Sequence, residues 1–233
     1  MADNPNVISA LAFRDRMEIS LNSNTVYAVG GFGASLDFEK NLTRYTKTGY
    51  NKEHADEIRA AAAKGNCFAF DCICWLKSVG WWDWIGDPSK LYGGAVYKKN
   101  GMPDCSVHAM IRDYCSDHTT IKSTTKDVPF LAFLYMTDWS HIAVSLSNGI
   151  AMEATRYGKN PGVRLVRIDG LPCPLPSSSR PKETRKFDRF ARCDYIDYSN
   201  VLQTLDAEGR KYYFAKDLAS DWRLPATVTQ FKF

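Results

Sequence analysis

The chain has 233 residues, 45% of them hydrophobic, a formal net charge of +4 and seven cysteines. That length closes one substantial core and disfavours two large domains, while so mild a charge suits approach to an anionic polymer and falls far short of the dense basic surface of a nucleic-acid binder. The start MADNPNVISALAFRDRM has no basic n-region or apolar h-region. The protein is therefore expected to be cytoplasmic when made, and its odd number of cysteines to be free thiols.

In chain order, a first helix is expected from about Pro5 to Leu21, with Asn4 as its cap and Val7, Ile8, Leu11 and Met17 on one face. The strand-like TVYAV then runs into Gly30, Gly31 and Gly33, whose spacing lacks the full dinucleotide-loop pattern and opens no helix. The run KEHADEIRAAAAK, Lys52 to Lys64, is rich in strong helix formers and reads as a mostly exposed helix. Another helix is expected to begin at Asp71, and PDCSVHAMIRDYCSDH, Pro103 to His118, reads as a third. The longest apolar run, Val128 to Met136, is well short of the roughly 18 residues that a membrane-spanning helix needs, so no membrane insertion is expected.

From Phe130 the period changes. FLAFLYM, HIAVSLS, IAMEATR and GVRLVRI are short β-prone runs, with Asn148-Gly149 as a hairpin signal between the second and third. Leu171 to Lys186 is Pro-, Ser- and charge-rich and reads as a loop before a last strand around CDYIDY; the tail after Asn200 has no clear period. Helices followed by an antiparallel meander indicate an α+β domain over residues 1–200, with 201–233 as a C-terminal extension.

Three cysteines crowd CFAFDCICWLKSVGWW, Cys67 to Trp82. With Asp71 as cap, Cys72 falls at the first helical position, where the helix N-terminus favours a thiolate. Trp75, Leu76 and Val79 follow Cys72 at helical spacing, which puts Cys72 on the inward stripe. Cys74, about 200° around the helix, is expected beside Lys77 and Ser78. Cys67 and Cys74 are expected to be packing thiols, and Cys72 itself reads either as a nucleophile or as one more buried structural thiol. Of the four histidines, His54 belongs to the exposed helix, whereas His141 opens a strand where a sheet edge can aim its ring at the helix terminus. Cys105-x-x-His108 and Cys115-x-x-His118 look like zinc half-sites, yet on one helix the two cysteines are about 15 Å apart. One ion cannot bridge that, so neither metal nor cofactor is expected unless the helix breaks.

Together these motifs resemble the NlpC-type cysteine peptidases, papain-like bacterial and phage wall hydrolases, most closely the phage endolysin branch. The resemblance rests on Phe70-Asp71-Cys72, His141-Ile142-Ala143-Val144, Ser147-Asn148-Gly149 and Met152-Glu153-Ala154, with weaker support from VYAVGGFG and CDYIDY. It implies a papain-like NlpC-type fold, with N-terminal helices packed on a central antiparallel β-sheet. It also implies Cys72 as nucleophile, His141 as base, Glu153 as the orienting third residue, and Tyr27 and Asp71 as substrate-contacting residues. A strict two-residue Asn-Gly turn would set Glu153 opposite Val144, so reaching His141 requires a bulge or longer turn, with Thr155 as the fallback orienter.

The activity so implied is cleavage of a peptidoglycan stem-peptide amide, typically between D-glutamate (or isoglutamine) and the diamino acid, after release to the wall or from a virion. The alternatives are an N-acetylmuramoyl-L-alanine amidase or other papain-like acyl-transfer enzyme, and a non-catalytic wall-binding or virion structural module. The expected partner is peptidoglycan, with no nucleic acid.

Overall fold

The computed structural model describes residues 7–81, 102–122, 128–146, 149–157, 161–171 and 186–198. Among them the chain is mixed α and β, with largely antiparallel sheets, and no helix is long and apolar enough to cross a membrane. Asn4, Pro5, Ser147, Asn148, most of the Pro-rich loop and the tail after Asn200 lie outside the described residues. The chain divides into two units: one is formed by Met1–Asp15, Cys105–Glu153 and Arg164–Phe233, the other by Arg16–Asp104 and Ala154–Val163.

The N-terminal helix starts later than its spacing suggests. Ile8–Ser9 form a short strand, β1, parallel to a strand at Ile196–Asp197, and α1 spans Ala10–Asn22. The Ser9 hydroxyl accepts from the Ala12 N–H at 3.2 Å, so a serine cap sets the helix start. Chain pairing at Ile8 overrides the local helical pattern.

In the second unit, β2 (Asn24–Tyr27), β3 (Phe32–Ser35) and β4 (Cys67–Phe70) form a sheet ordered β2-β4-β3, with β2 and β4 parallel. Val26, Ala28, Ala34, Leu36, Tyr45, Ile58, Cys67 and Ala69 make its core. Here α2 covers Glu39–Tyr45, and the expected Lys52–Lys64 helix is two pieces, α3 (Gly49–Glu53) and α4 (Ala55–Ala62). They break at His54, whose φ of −110° and ψ of 21° leave the helical region. Next, α5 spans Cys72–Trp81.

The expected Pro103–His118 helix is also shorter. It forms α6 only over Val107–Tyr114, capped by the Ser106 hydroxyl, and continues as β5, Cys115–Thr120. The strands expected after Phe130 are β6 (Phe133–Tyr135), β7 (Ile142–Ser145), β8 (Ile150–Thr155) and β9 (Gly162–Arg167). The last strand region splits into β10 (Arg189–Cys193) and β11 (Ile196–Asp197). The six-stranded sheet runs β5-β10-β6-β7-β8-β9. One core cluster contains Val128, Ala132, Leu134, Ala143, Ala151, Val166, Ile168 and Phe187.

Candidate active-site residues

β4 passes directly into α5 through Asp71. The Asp71 Oδ1 accepts from the Cys74 N–H at 2.7 Å, and its backbone carbonyl accepts from the Trp75 N–H at 3.0 Å. This is the cap the sequence indicates, with Cys72 as the first helical residue. The other carboxylate oxygen accepts from the Gly30 N–H at 2.7 Å, so Asp71 also ties the helix start to the glycine-rich turn. Both oxygens thus serve backbone donors, and the side chain is 8% exposed.

That turn is closed by the Gly31 N–H donating to the Ala28 carbonyl at 2.9 Å. Gly30 has φ 77°, a value that suits glycine at the third position of a tight turn. A Cβ on Gly31 would lie 2.6 Å from the Ala69 carbonyl oxygen, so only hydrogen fits there. Asn51 clamps Val29 from both sides, donating to its carbonyl at 3.0 Å and accepting from its N–H at 2.8 Å. The Tyr45 hydroxyl donates to the Gly30 carbonyl at 3.1 Å. Tyr45 and Asn51 bear no local sign of this role, because their partners are 15 and 22 residues away.

Cys72 is half-buried, and Tyr27 at the end of β2 is its electrostatic neighbour. Burial first, then the neighbouring Cys72 and Asp71, push the Tyr27 hydroxyl well above the ordinary tyrosine range. Tyr27 therefore stays a neutral phenol and a donor. The expected contrast between the two helix thiols is reversed in exposure: Cys74 is 5% exposed, and Lys77 and Ser78 beside it are buried too. The reason is that α5 is enclosed all round rather than amphipathic. The Lys77 ammonium is satisfied by Asp104 at 2.6 Å and lies 4.8 Å above the Phe32 ring. Burial first, and the Asp71 charge second, raise the Cys74 thiol far above its usual value, so it persists as a packing thiol. Cys67 is fully buried in the core.

In the same unit, Tyr27 meets the edge of Tyr50 at 6.1 Å, and Tyr50 packs on His54 at 4.2 Å. The Arg156 guanidinium lies over Tyr50 at 5.2 Å and over Tyr157 at 5.0 Å, and donates to the Tyr157 hydroxyl at 2.9 Å. Neither Tyr50 nor Arg156 stands out in the sequence; the available signal is that Arg156 directly follows the strand carrying Glu153.

His141 and Glu153 belong to the other unit. The His141 Nε2 is 2.7 Å from the Glu153 Oε2, with side chains 4% and 0% exposed. The register explains the contact. Val144 faces Met152 and Ser145 faces Ala151, and the Leu146 N–H donates to the Ile150 carbonyl at 2.8 Å. Pairing is thus shifted by one residue from a strict Asn-Gly turn, and a one-residue shift moves a side chain to the other sheet face. Continued along the strands, this register sets Glu153 opposite Ala143, on the face and diagonal of His141. The Thr155 hydroxyl is 3.2 Å from the Tyr157 N–H, from which it accepts. His141 also stacks on Phe187 at 5.9 Å. With Nε2 donating to the carboxylate, the neutral ring carries its lone pair on Nδ1, the atom a base uses.

A tight turn delivers His141 to β7. Trp139 holds φ 59°, a strained value for a bulky residue, and its N–H donates to the Met136 carbonyl at 2.9 Å. Its indole stacks on Tyr135 at 5.2 Å. As for the zinc half-sites, the helix does end between them, at Tyr114. The His118 nitrogens then face the Tyr135 hydroxyl at 3.2 Å and the Cys115 carbonyl at 3.0 Å. His108 packs on Trp139, and among the described residues no three His, Cys, Asp or Glu converge as a metal site requires.

The structure therefore brings Tyr27, Asp71 and Cys72 together in one unit, and His141 and Glu153 together in the other. Compared with protein-family models, curated proteins and solved structures, the chain matches none of them.

Proposed function

We propose that this protein is a cysteine-dependent amide hydrolase of the NlpC type, acting on the stem peptides of bacterial peptidoglycan. The observation that carries the reading is the buried hydrogen bond between His141 and Glu153. Two ionisable side chains withdrawn from water are no more stabilising than an apolar pair of similar volume, so stability alone gives little reason for them. An oriented imidazole is what a general base needs. Further support comes from Cys72, a half-buried thiol at the first turn of a capped helix with Tyr27 as its neighbour. The motif resemblance supplies the substrate class.

In this reading the Cys72 thiol transfers its proton to His141 and the sulfur attacks the amide carbonyl. The Cys72 N–H and the Tyr27 hydroxyl act as donors to the developing oxyanion. The imidazolium, held by Glu153, protonates the leaving amine, and the carbon–nitrogen bond breaks to leave a thioester on Cys72. His141 then takes a proton from water, whose oxygen attacks the thioester; the acid is released and the thiol is restored.

The test is digestion of purified cell walls by the wild type, Cys72→Ala and His141→Ala, with identification of new amino termini. The wild type should generate them, and each variant should be slower by about 10³-fold or more. No termini from the wild type would refute the hydrolase reading, and equal activity from Cys72→Ala would remove Cys72 from it. Retention on walls without any cleavage would indicate a binding module instead.

A further inference from the structure

We propose that Arg156 forms a carboxylate-recognition subsite beside the nucleophile, so that the enzyme selects substrates carrying a free carboxylate, rather than a carboxamide, next to the cleaved bond. This rests on the hydrolase reading above and names a specificity residue for it. Arg156 is exposed, yet it is not a loose surface side chain. Its guanidinium lies over the rings of Tyr50 and Tyr157, at 5.2 and 5.0 Å, and donates to the Tyr157 hydroxyl at 2.9 Å. Two ring contacts and one hydrogen bond restrict the side chain, and a guanidinium keeps further donors for a carboxylate, which it binds through two parallel hydrogen bonds.

The charge is also available. Among the described residues no carboxylate pairs with Arg156; the groups acting on it are the two tyrosines. The nearby Glu57 is engaged by the His54 Nδ1 at 3.3 Å. The backbone that carries the arginine is anchored as well, because the Thr155 hydroxyl accepts from the Tyr157 N–H at 3.2 Å, with Thr155 itself buried. A run of neighbours then leads to the thiol within one unit: Arg156 over Tyr50, Tyr50 against the edge of Tyr27 at 6.1 Å, and Tyr27 beside Cys72. A substrate amide held at Cys72 has its flanking residue directed along the tyrosines towards the guanidinium. This places the choice between a glutamate and an isoglutamine stem in one side chain.

The experiment uses two synthetic stem peptides that differ only in that carboxylate or carboxamide. With the wild type, kcat/KM should favour the carboxylate peptide. Arg156→Gln should raise its KM about tenfold to a hundredfold, the loss expected for a charge-assisted hydrogen-bond pair, while hardly changing the carboxamide peptide. Arg156→Lys should recover part of the loss, since it keeps the charge without the fork. Arg59→Gln, at an exposed arginine paired with Asp56, is the control and should leave both peptides unchanged. Equal losses on both peptides, or none, would overturn the proposal. Binding of the carboxylate peptide to Cys72→Ala, followed by calorimetry with and without Arg156→Gln, separates the two claims. Arg156-dependent binding without cleavage by the wild type would sink the hydrolase reading and leave the subsite standing; cleavage with Arg156-independent binding would do the reverse.

Discussion

Replacing Asp71 with alanine removes two hydrogen bonds at once, and their loss can be sized separately. The bond from the Cys74 N–H, at 2.7 Å, caps α5, and deleting such a cap costs about 1 kcal/mol. The bond from the Gly30 N–H, also 2.7 Å, has no water to replace it fully at a side chain only 8% exposed, and an unpaired buried donor costs about 1–3 kcal/mol. The sum is about 2–4 kcal/mol, a large share of the roughly 5–15 kcal/mol that stabilises a typical domain. Equilibrium urea unfolding followed by tryptophan fluorescence measures it, with an unchanged m value showing that the unfolded state is not the cause. Asp71→Asn keeps one acceptor and should lose about half as much. A loss within about 0.5 kcal/mol of zero for Asp71→Ala, the range of an ordinary surface substitution, would refute the view that this carboxylate joins the turn to the helix.

Other consequences are equally specific. Glu153→Ala should lower kcat about 10²- to 10⁴-fold by leaving His141 unoriented, whereas Thr155→Ala should keep kcat within a few-fold, as stem-peptide kinetics will report. Gly31→Ala should destabilise the protein by about 2 kcal/mol or more in thermal melts, because its Cβ would sit 2.6 Å from the Ala69 carbonyl oxygen. The Cys74 thiol is raised above its ordinary value of 9.0 by burial. Its contribution is then complete below about pH 9 and falls by up to about 1.4 kcal/mol per pH unit above it, since only the unfolded chain releases that proton. Urea titrations at rising pH should show the decline, and Cys74→Ala should flatten it while retaining wall cleavage.

Local chemistry was readable where one residue controls one element. Asp71 before an apolar run announced a helix start at Cys72, and the β-prone runs after Phe130 announced β6 to β9. Long-range pairing was not readable. Ile8 has a helical neighbourhood but is claimed by Ile196, and Cys115 leaves its helix to pair with Cys193 across β10. The exposure of α5 was not readable for a related reason: a periodic stripe identifies one buried face and cannot say that Cys74, Lys77 and Ser78 are covered as well. The candidate site divides along the same line. Tyr27, Asp71, Cys72, His141 and Glu153 were all visible as motif residues. Asn51, Tyr45, Tyr50 and Arg156 were not, because each acts on a partner distant in sequence.

The central claim is that Cys72 carries the acyl group during turnover. Acid-quenching the enzyme within the first turnovers on a stem peptide, followed by intact-mass and peptide-mapping mass spectrometry, tests it most directly. The prediction is a mass increase equal to the acyl fragment, located on Cys72 and absent in Cys72→Ala, while Cys74→Ala still shows it. Cleavage that proceeds with no adduct on Cys72, or with one on another residue, would contradict it.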